Sequence, residues 1–264
     1  VAWSWKAGGN KNTFNVDDVG YASAAAAGLT GGSITPTGAS VGTKQGFSII
    51  KWTATNGAAT ISHGLENPPT FIVVKDMDSA AFWQVYHSSL GNTKAINLNS
   101  TNGESTQTNH WNNTSPTSTT FSVGVNSNYL TDDHIAYLWH DVPGMFKTGK
   151  YVNNASADGP YIELGFKPAI VILKCTGSGT NWRIADNTRN PFNNGSTTEW
   201  LRPSTGDAKS DERAVDFVSS GFKIRSTAGG DINQNSNAGN ITYVYAAWAE
   251  APEFNLYGGQ SNAR

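Results

Sequence analysis

One strand-and-tryptophan unit occurs twice in this chain, and a repeated unit restricts the fold more than any single motif can. The first copy reads Pro69-Thr-Phe-Ile-Val-Val-Lys75 followed by Trp83-Gln-Val-Tyr-His87. The second reads Pro168-Ala-Ile-Val-Ile-Leu-Lys174 followed by Trp182-Arg-Ile-Ala-Asp186. Proline, lysine and tryptophan recur at one offset of 99 residues (168 − 69, 174 − 75, 182 − 83). Phe146 and Tyr151 stand at the same distance from Phe47 and Trp52 (146 − 47, 151 − 52). Further on, Phe222 follows Phe121 by 101 (222 − 121), and Trp248 follows Trp139 by 109 (248 − 139). The offset grows only across polar stretches, notably around Gly229–Asn240, as it does when loops absorb insertions and strands hold their register. The sequence therefore reads as a tandem duplication.

The segments within each copy are short. Phe47–Trp52 is β-branched and aromatic, Phe71–Val74 is a continuous apolar run suited to a strand covered on both faces, and Phe121–Val125 alternates. Turns rich in Gly, Asn and Pro separate them, such as His63-Gly-Leu-Glu-Asn-Pro-Pro69, and no long period of 3.6 occurs. These features predict an all-β chain of two tandem antiparallel β-sandwich modules of jelly-roll type, over 46–144 and 145–253.

Residues 7–45, rich in Gly and Ala, offer little apolar surface and read as a linker with at most a helical turn at Ala22–Ala27. Residues 254–264 read as a polar tail. The opening residues Val1, Ala2, Trp3, Ser4, Trp5 and Lys6 resemble the small-and-aromatic strands Ile135–Trp139 and Tyr245–Ala249 that close each copy. They read either as the closing strand of a preceding repeat, available to add to another subunit's sheet edge, or as an ordinary first strand.

Composition narrows the function classes. Only 14% of residues are charged and the net charge is −2. The basic patch expected of a nucleic-acid binder has little to be built from, and no apolar stretch reaches the ~20 residues that span a bilayer as a helix. The single cysteine, Cys175, reads as a small core filler.

Metal and catalytic motifs are sparse. His63, His87, His110, His134 and His140 are dispersed, against the clustered ligands zinc requires. Calcium is the one cofactor the sequence leaves open, on the Asp-rich turns at Asp132, Asp133 or Asp158. A glycosidase would need two opposed carboxylates, and Glu163, Asp186, Glu199 and Glu250 are candidates with nothing to show that they converge. Sugar binding has more material, because pyranose faces stack on aromatic rings and hydroxyls bond to amides and carboxylates. Trp111 with Asn109 and Asn113, and Trp200 with Asn193 and Glu199, supply both in polar loops. The same tryptophans could instead cover the ends of the sandwiches. Trp83 and Trp182, at matched positions, read as core.

Several stretches together carry a family resemblance: Trp5-Lys-Ala-Gly-Gly9, Phe14-Asn-Val16, Gly46-Phe-Ser-Ile-Ile50, Trp83-Gln-Val-Tyr-His87, His140-Asp-Val-Pro-Gly144 and Ala157-Asp-Gly-Pro160. As a set they resemble repeat proteins encoded by tailed bacteriophages, marine and cyanobacterial ones in particular, over nearly the whole chain. The resemblance implies concanavalin- or laminin-G-like jelly rolls in a virion component: a tail fibre, tail appendage or capsid-surface protein. It further implies assembly with copies of itself, a trimer by fibre analogy, and with other virion proteins at the particle surface, with host-surface glycan as a further partner. It transfers no catalytic residue. The alternatives are a tail-associated polysaccharide depolymerase and a stand-alone carbohydrate-binding module.

Overall fold

The computed structural model describes residues 2–177, 179–190, 193, 198–206, 210–212, 215–225, 232–233, 241–250, 253–254 and 260–261. These residues are almost entirely β. The one helix among them is a single turn, α1 (Thr108–Trp111), and no helix is long and apolar enough to cross a membrane. The chain divides into two compact units. The N-terminal module holds Ala2–Leu98 and Ser105–Asp141; the C-terminal module holds Val142 onward together with Asn99–Glu104.

The N-terminal module carries β1 (Phe14–Val16), β2 (Val19–Tyr21), β3 (Gly38–Gly42), β4 (Phe47–Thr53), β5 (Ala59–Ser62), β6 (Phe71–Asp76), β7 (Gln84–His87), β8 (Lys94–Asn97), β9 (Ser105–Thr106), β10 (Thr120–Val123) and β11 (Asp133–Trp139). Nine of them form one sheet in the order β2-β1-β3-β4-β11-β6-β7-β8-β9, and β10-β5 form a second. All pairs are antiparallel except β1 with β3. Period-two alternation sends His134, Ala136 and Leu138 of β11 to one face. On that face Ile50, Trp52, Ile72 and Val74 meet Ile61 and Phe121 of the small sheet in one core. Trp52 and Trp111 are among its largest fully enclosed side chains, each contributing up to about 3 kcal/mol in area terms. On the other face Trp139 stacks on Phe47 at 4.6 Å and lies 5.6 Å from Phe71. This explains why Phe71–Val74 is buried throughout its length.

The C-terminal module has β12 (Phe146–Val152), β13 (Tyr161–Glu163), β14 (Pro168–Cys175), β15 (Arg183–Asp186), β16 (Thr198–Trp200), β17 (Ser210–Glu212), β18 (Val215–Val218), β19 (Gly221–Ile224) and β20 (Thr242–Ala249). Its main sheet runs β12-β20-β14-β15, opposite a β13-β19-β18 sheet, with Tyr151, Leu173, Phe222 and Tyr245 in the shared core. The central strands of the two modules keep equivalent registers. Trp139 lies opposite Phe47 and Phe71, and Trp248 opposite Phe146 and Ile170. His134 lies opposite Trp52 and Asp76, and Tyr243 opposite Tyr151 and Cys175. Cys175 is a fully buried free thiol.

Three boundaries differ from expectation. The segment 7–45 is not a linker: β1, β2 and β3 lie within it and extend the main sheet. Its small residues are what that site takes, since Ala39 and Val41 are buried on a narrow strand. The helical turn expected there is present, with the Ala27 amide donating to the Ser23 carbonyl. Ala2, Trp3, Ser4, Trp5 and Lys6 form no strand, and Val1 lies outside the described residues. Trp5 packs edge-on against Trp139 at 6.2 Å and Lys6 pairs with Asp18 at 2.8 Å, so side chains hold this segment and no ladder does. In the tail, Glu253–Phe254 pair with Gln260–Ser261.

Candidate functional site

A cleft of about 170 Å³ opens in the N-terminal module where β6 ends and β7 and β11 begin. Asp76, Phe82, Gln84, Asn126, Tyr129 and His134 line it. Two loops hold it in shape, and each is folded around a buried polar residue.

The first loop follows β6. Asp76 is 5% exposed and accepts hydrogen bonds from the amides of Asp78 (2.9 Å) and Ser79 (3.0 Å) and from the Ser79 hydroxyl. Burial pushes its pKa up, but the Ser79 hydroxyl, the two amides and neighbouring His134 outweigh that and hold the carboxyl below its usual range. The carboxylate thus closes the turn as a side-chain acceptor, the chemistry that makes Asp common in turns. Asp78 ties the same turn to β11 by accepting from the Asp133 amide at 2.7 Å.

The second loop runs from Gly124 to Asp132 around Asn128, which is fully buried. Its side-chain oxygen accepts from the Trp52 indole at 3.1 Å, and its amide nitrogen donates to Thr55 Oγ1 (3.0 Å) and the Gly57 carbonyl (2.7 Å). With Asn128 fixed inward, Tyr129 is turned out and is 51% exposed. Phe82, at the end of the first loop, is 55% exposed. Gln84 donates to the Asn126 carbonyl at 2.6 Å and accepts from the Ser127 hydroxyl, joining the two loops. His134 stacks on Trp52 at 5.4 Å, and its Nδ1 lies 3.1 Å from the Asp132 carbonyl, so that nitrogen carries the proton. The result is two outward aromatic rings over a floor of amide, imidazole and carboxylate, an arrangement that can hold a small hydroxyl-bearing ring.

The residues expected to bind sugar are placed differently. Trp111 is 1% exposed, edge-on to Tyr86 at 5.6 Å, and its indole donates to the Lys94 carbonyl at 3.1 Å. Asn109 and Asn113 are exposed beside it, with their carbonyls accepting from the Asn126 amide and the Asn92 side chain. Trp200 is also 1% exposed. Asn193 clamps Phe217, donating to its carbonyl (2.7 Å) and accepting from its amide (3.0 Å), and the Glu199 backbone is held by Asn190. Both tryptophans are core side chains and offer no ring face to a ligand. Of the matched pair expected in the core, Trp182 is 1% exposed, whereas Trp83 is half-buried under the Lys75 ammonium, 5.5 Å from its ring.

The Asp-rich turns considered for calcium hold ion pairs. Asp133 pairs with Lys51 at 2.8 Å and Asp158 with Lys223 at 2.8 Å. No cluster of three His, Cys, Asp or Glu is gathered among the described residues. Three of the glycosidase candidates have local partners: Glu163 caps the Gly165 amide, Asp186 pairs with Arg189, and Glu250 pairs with Lys167.

The cleft residues were missed, although Phe82 left a signal. It adjoins Trp83, and consecutive side chains entering a strand point to opposite faces, so both rings cannot share one core.

Compared with known proteins, residues 1–252 match a family described as a domain of unknown function, DUF7483. The chain belongs to the DUF7483 family. The matched DUF7483 region takes in β1 to β20. No curated protein and no solved structure matches the chain.

Proposed function

We propose that this DUF7483 protein is a non-catalytic structural component of a tailed-phage virion, a tail fibre, appendage or capsid-surface protein. Its sandwich modules assemble with copies of the chain, as a trimer in a fibre, and with other virion proteins. The family resemblance of the sequence supports the virion setting. The observation that carries the structural half is the shared register: Phe47, Trp139 and Phe71 recur as Phe146, Trp248 and Ile170 across equivalent ladders. A scaffold repeated with its rigid part unchanged and its loops varied suits a protein that presents surfaces. Purified particles probed with antibody to this chain test the reading. Labelling at a fixed place on the particle is the expected result, and a chain found only in the lysate supernatant refutes it.

The cleft favours a second reading, recognition of host-surface glycan, either from the virion or as a stand-alone carbohydrate-binding module. A depolymerase would shorten capsular polysaccharide in solution, and viscometry on host capsule separates that outcome from binding.

A further inference from the structure

We infer that the cleft between Phe82 and Tyr129 of the N-terminal module binds one uncharged saccharide ring. The inference rests on the glycan-binding reading and is independent of where the protein resides.

Three observations meet here. First, the exposed rings are presented by loops folded around buried Asp76 and Asn128. Two rings more than half exposed on pinned loops leave apolar faces in water that a ligand could cover. Second, the cleft has unused hydrogen-bonding capacity. The Asn126 side-chain amide and the Tyr129 hydroxyl make no hydrogen bond among the described residues, and His134, protonated at Nδ1 toward Asp132, keeps Nε2 as an acceptor. A donor–acceptor amide, a phenol and an imidazole beside aromatic faces match a ring that has hydroxyls at its edge and C–H groups on its face. Third, size and charge narrow the class. About 170 Å³ lies below the ~300–1,000 Å³ of drug-sized pockets, which fits a single ring or a chain end. The Asp76 carboxylate in the floor disfavours an acidic sugar by like-charge repulsion.

The C-terminal module supplies an internal comparison. At the repeat offsets Asp76 becomes Cys175, Gln84 becomes Arg183, Phe82 becomes Asn181 and His134 becomes Tyr243. Cys175 and Tyr243 are completely buried, and Tyr243 stacks on Tyr151 at 5.0 Å. The floor residues thus differ in chemistry between the two modules.

The test is saturation-transfer NMR on the full chain with methyl glycosides of glucose, galactose, mannose and N-acetylglucosamine, at about 10 mM to suit millimolar affinity, with glucuronic acid as the charged arm. The expected result is saturable transfer to the ring protons of at least one neutral sugar. Phe82→Ala and Tyr129→Ala should each weaken binding about tenfold, equivalent to the loss of one good contact. Tyr129→Phe should retain the stacking, and Tyr161→Ala, an exposed ring outside the cleft, should change nothing. Both alanine variants alter exposed side chains, so unchanged melting curves confirm that the fold is intact. The proposal is overturned by no transfer from any neutral sugar, or by binding that survives the Phe82→Ala/Tyr129→Ala pair. Preference for glucuronic acid also overturns it, as does a variant that changes only the oligomeric mass, which would make the rings a self-association contact.

Discussion

Acidification should weaken the N-terminal module, and His63 is one residue through which it acts. The ring is fully buried at the turn before Gly64. Its Nε2 lies 3.1 Å from the Thr117 carbonyl and its Nδ1 accepts from the Leu65 amide at 3.0 Å, so the neutral tautomer with Nε2–H satisfies both partners. A second proton would sit on Nδ1, facing an N–H donor. Burial pulls the His63 pKa down from 6.5 to about 4, with His140 adding a smaller push the same way and the Thr117 carbonyl opposing. A depressed folded-state pKa means that the unfolded chain takes up the proton first as pH falls. Above pH 6.5 the group adds no pH dependence. Between 6.5 and about 4 it lowers the unfolding free energy by up to about 1.4 kcal/mol per pH unit, and below that the loss levels off. Over 6.5 − 4 = 2.5 units the loss is about 3 kcal/mol, a large share of the ~5–15 kcal/mol typical of a domain. Urea unfolding read from amide signals of the N-terminal module should show this slope between pH 6 and 4.5. His63→Gln should be less stable at pH 7, having lost the ring geometry, yet its slope should be shallower by about 1 kcal/mol per unit. Equal slopes in the two proteins, or a His63 ring titrating near 6.5 in the folded state, would refute the reasoning.

Other perturbations separate the roles assigned above. Trp111→Ala should destabilise the N-terminal module by about 3–5 kcal/mol in urea titration, the range for emptying a large core site; a near-neutral result would return the ring to the surface. Gly64→Ala should cost about 1–3 kcal/mol, because φ is +73° there and the new methyl would meet Val41 at 2.9 Å. Thermal melts of this variant should show the loss even though no side chain is removed. Tyr151→Phe removes the 2.8 Å bond from the buried phenol to the Ile232 carbonyl and should cost the C-terminal module about 1–3 kcal/mol, the penalty for an orphaned buried acceptor.

What the sequence determined by itself was the all-β fold class. Strand periodicity is local, and an offset that holds for Pro69, Lys75 and Trp83 can be read without coordinates. The registers of Trp139 and Trp248 then follow, because slipping a strand by one residue would turn its buried face outward. Local pattern could not tell which aromatic residues of the polar loops lie inside. Trp111 and Tyr129 both stand among asparagines. One is enclosed because α1 carries it onto Tyr86, and the other is turned out because its neighbour Asn128 is pinned to Trp52. Those partners lie 25 and 76 residues away (111 − 86, 128 − 52). Likewise Gly38–Gly42 is a strand because β4 and β1 pair with it on either side. Burial and pairing of weakly patterned segments depend on what the rest of the chain brings against them, and that is decided in three dimensions.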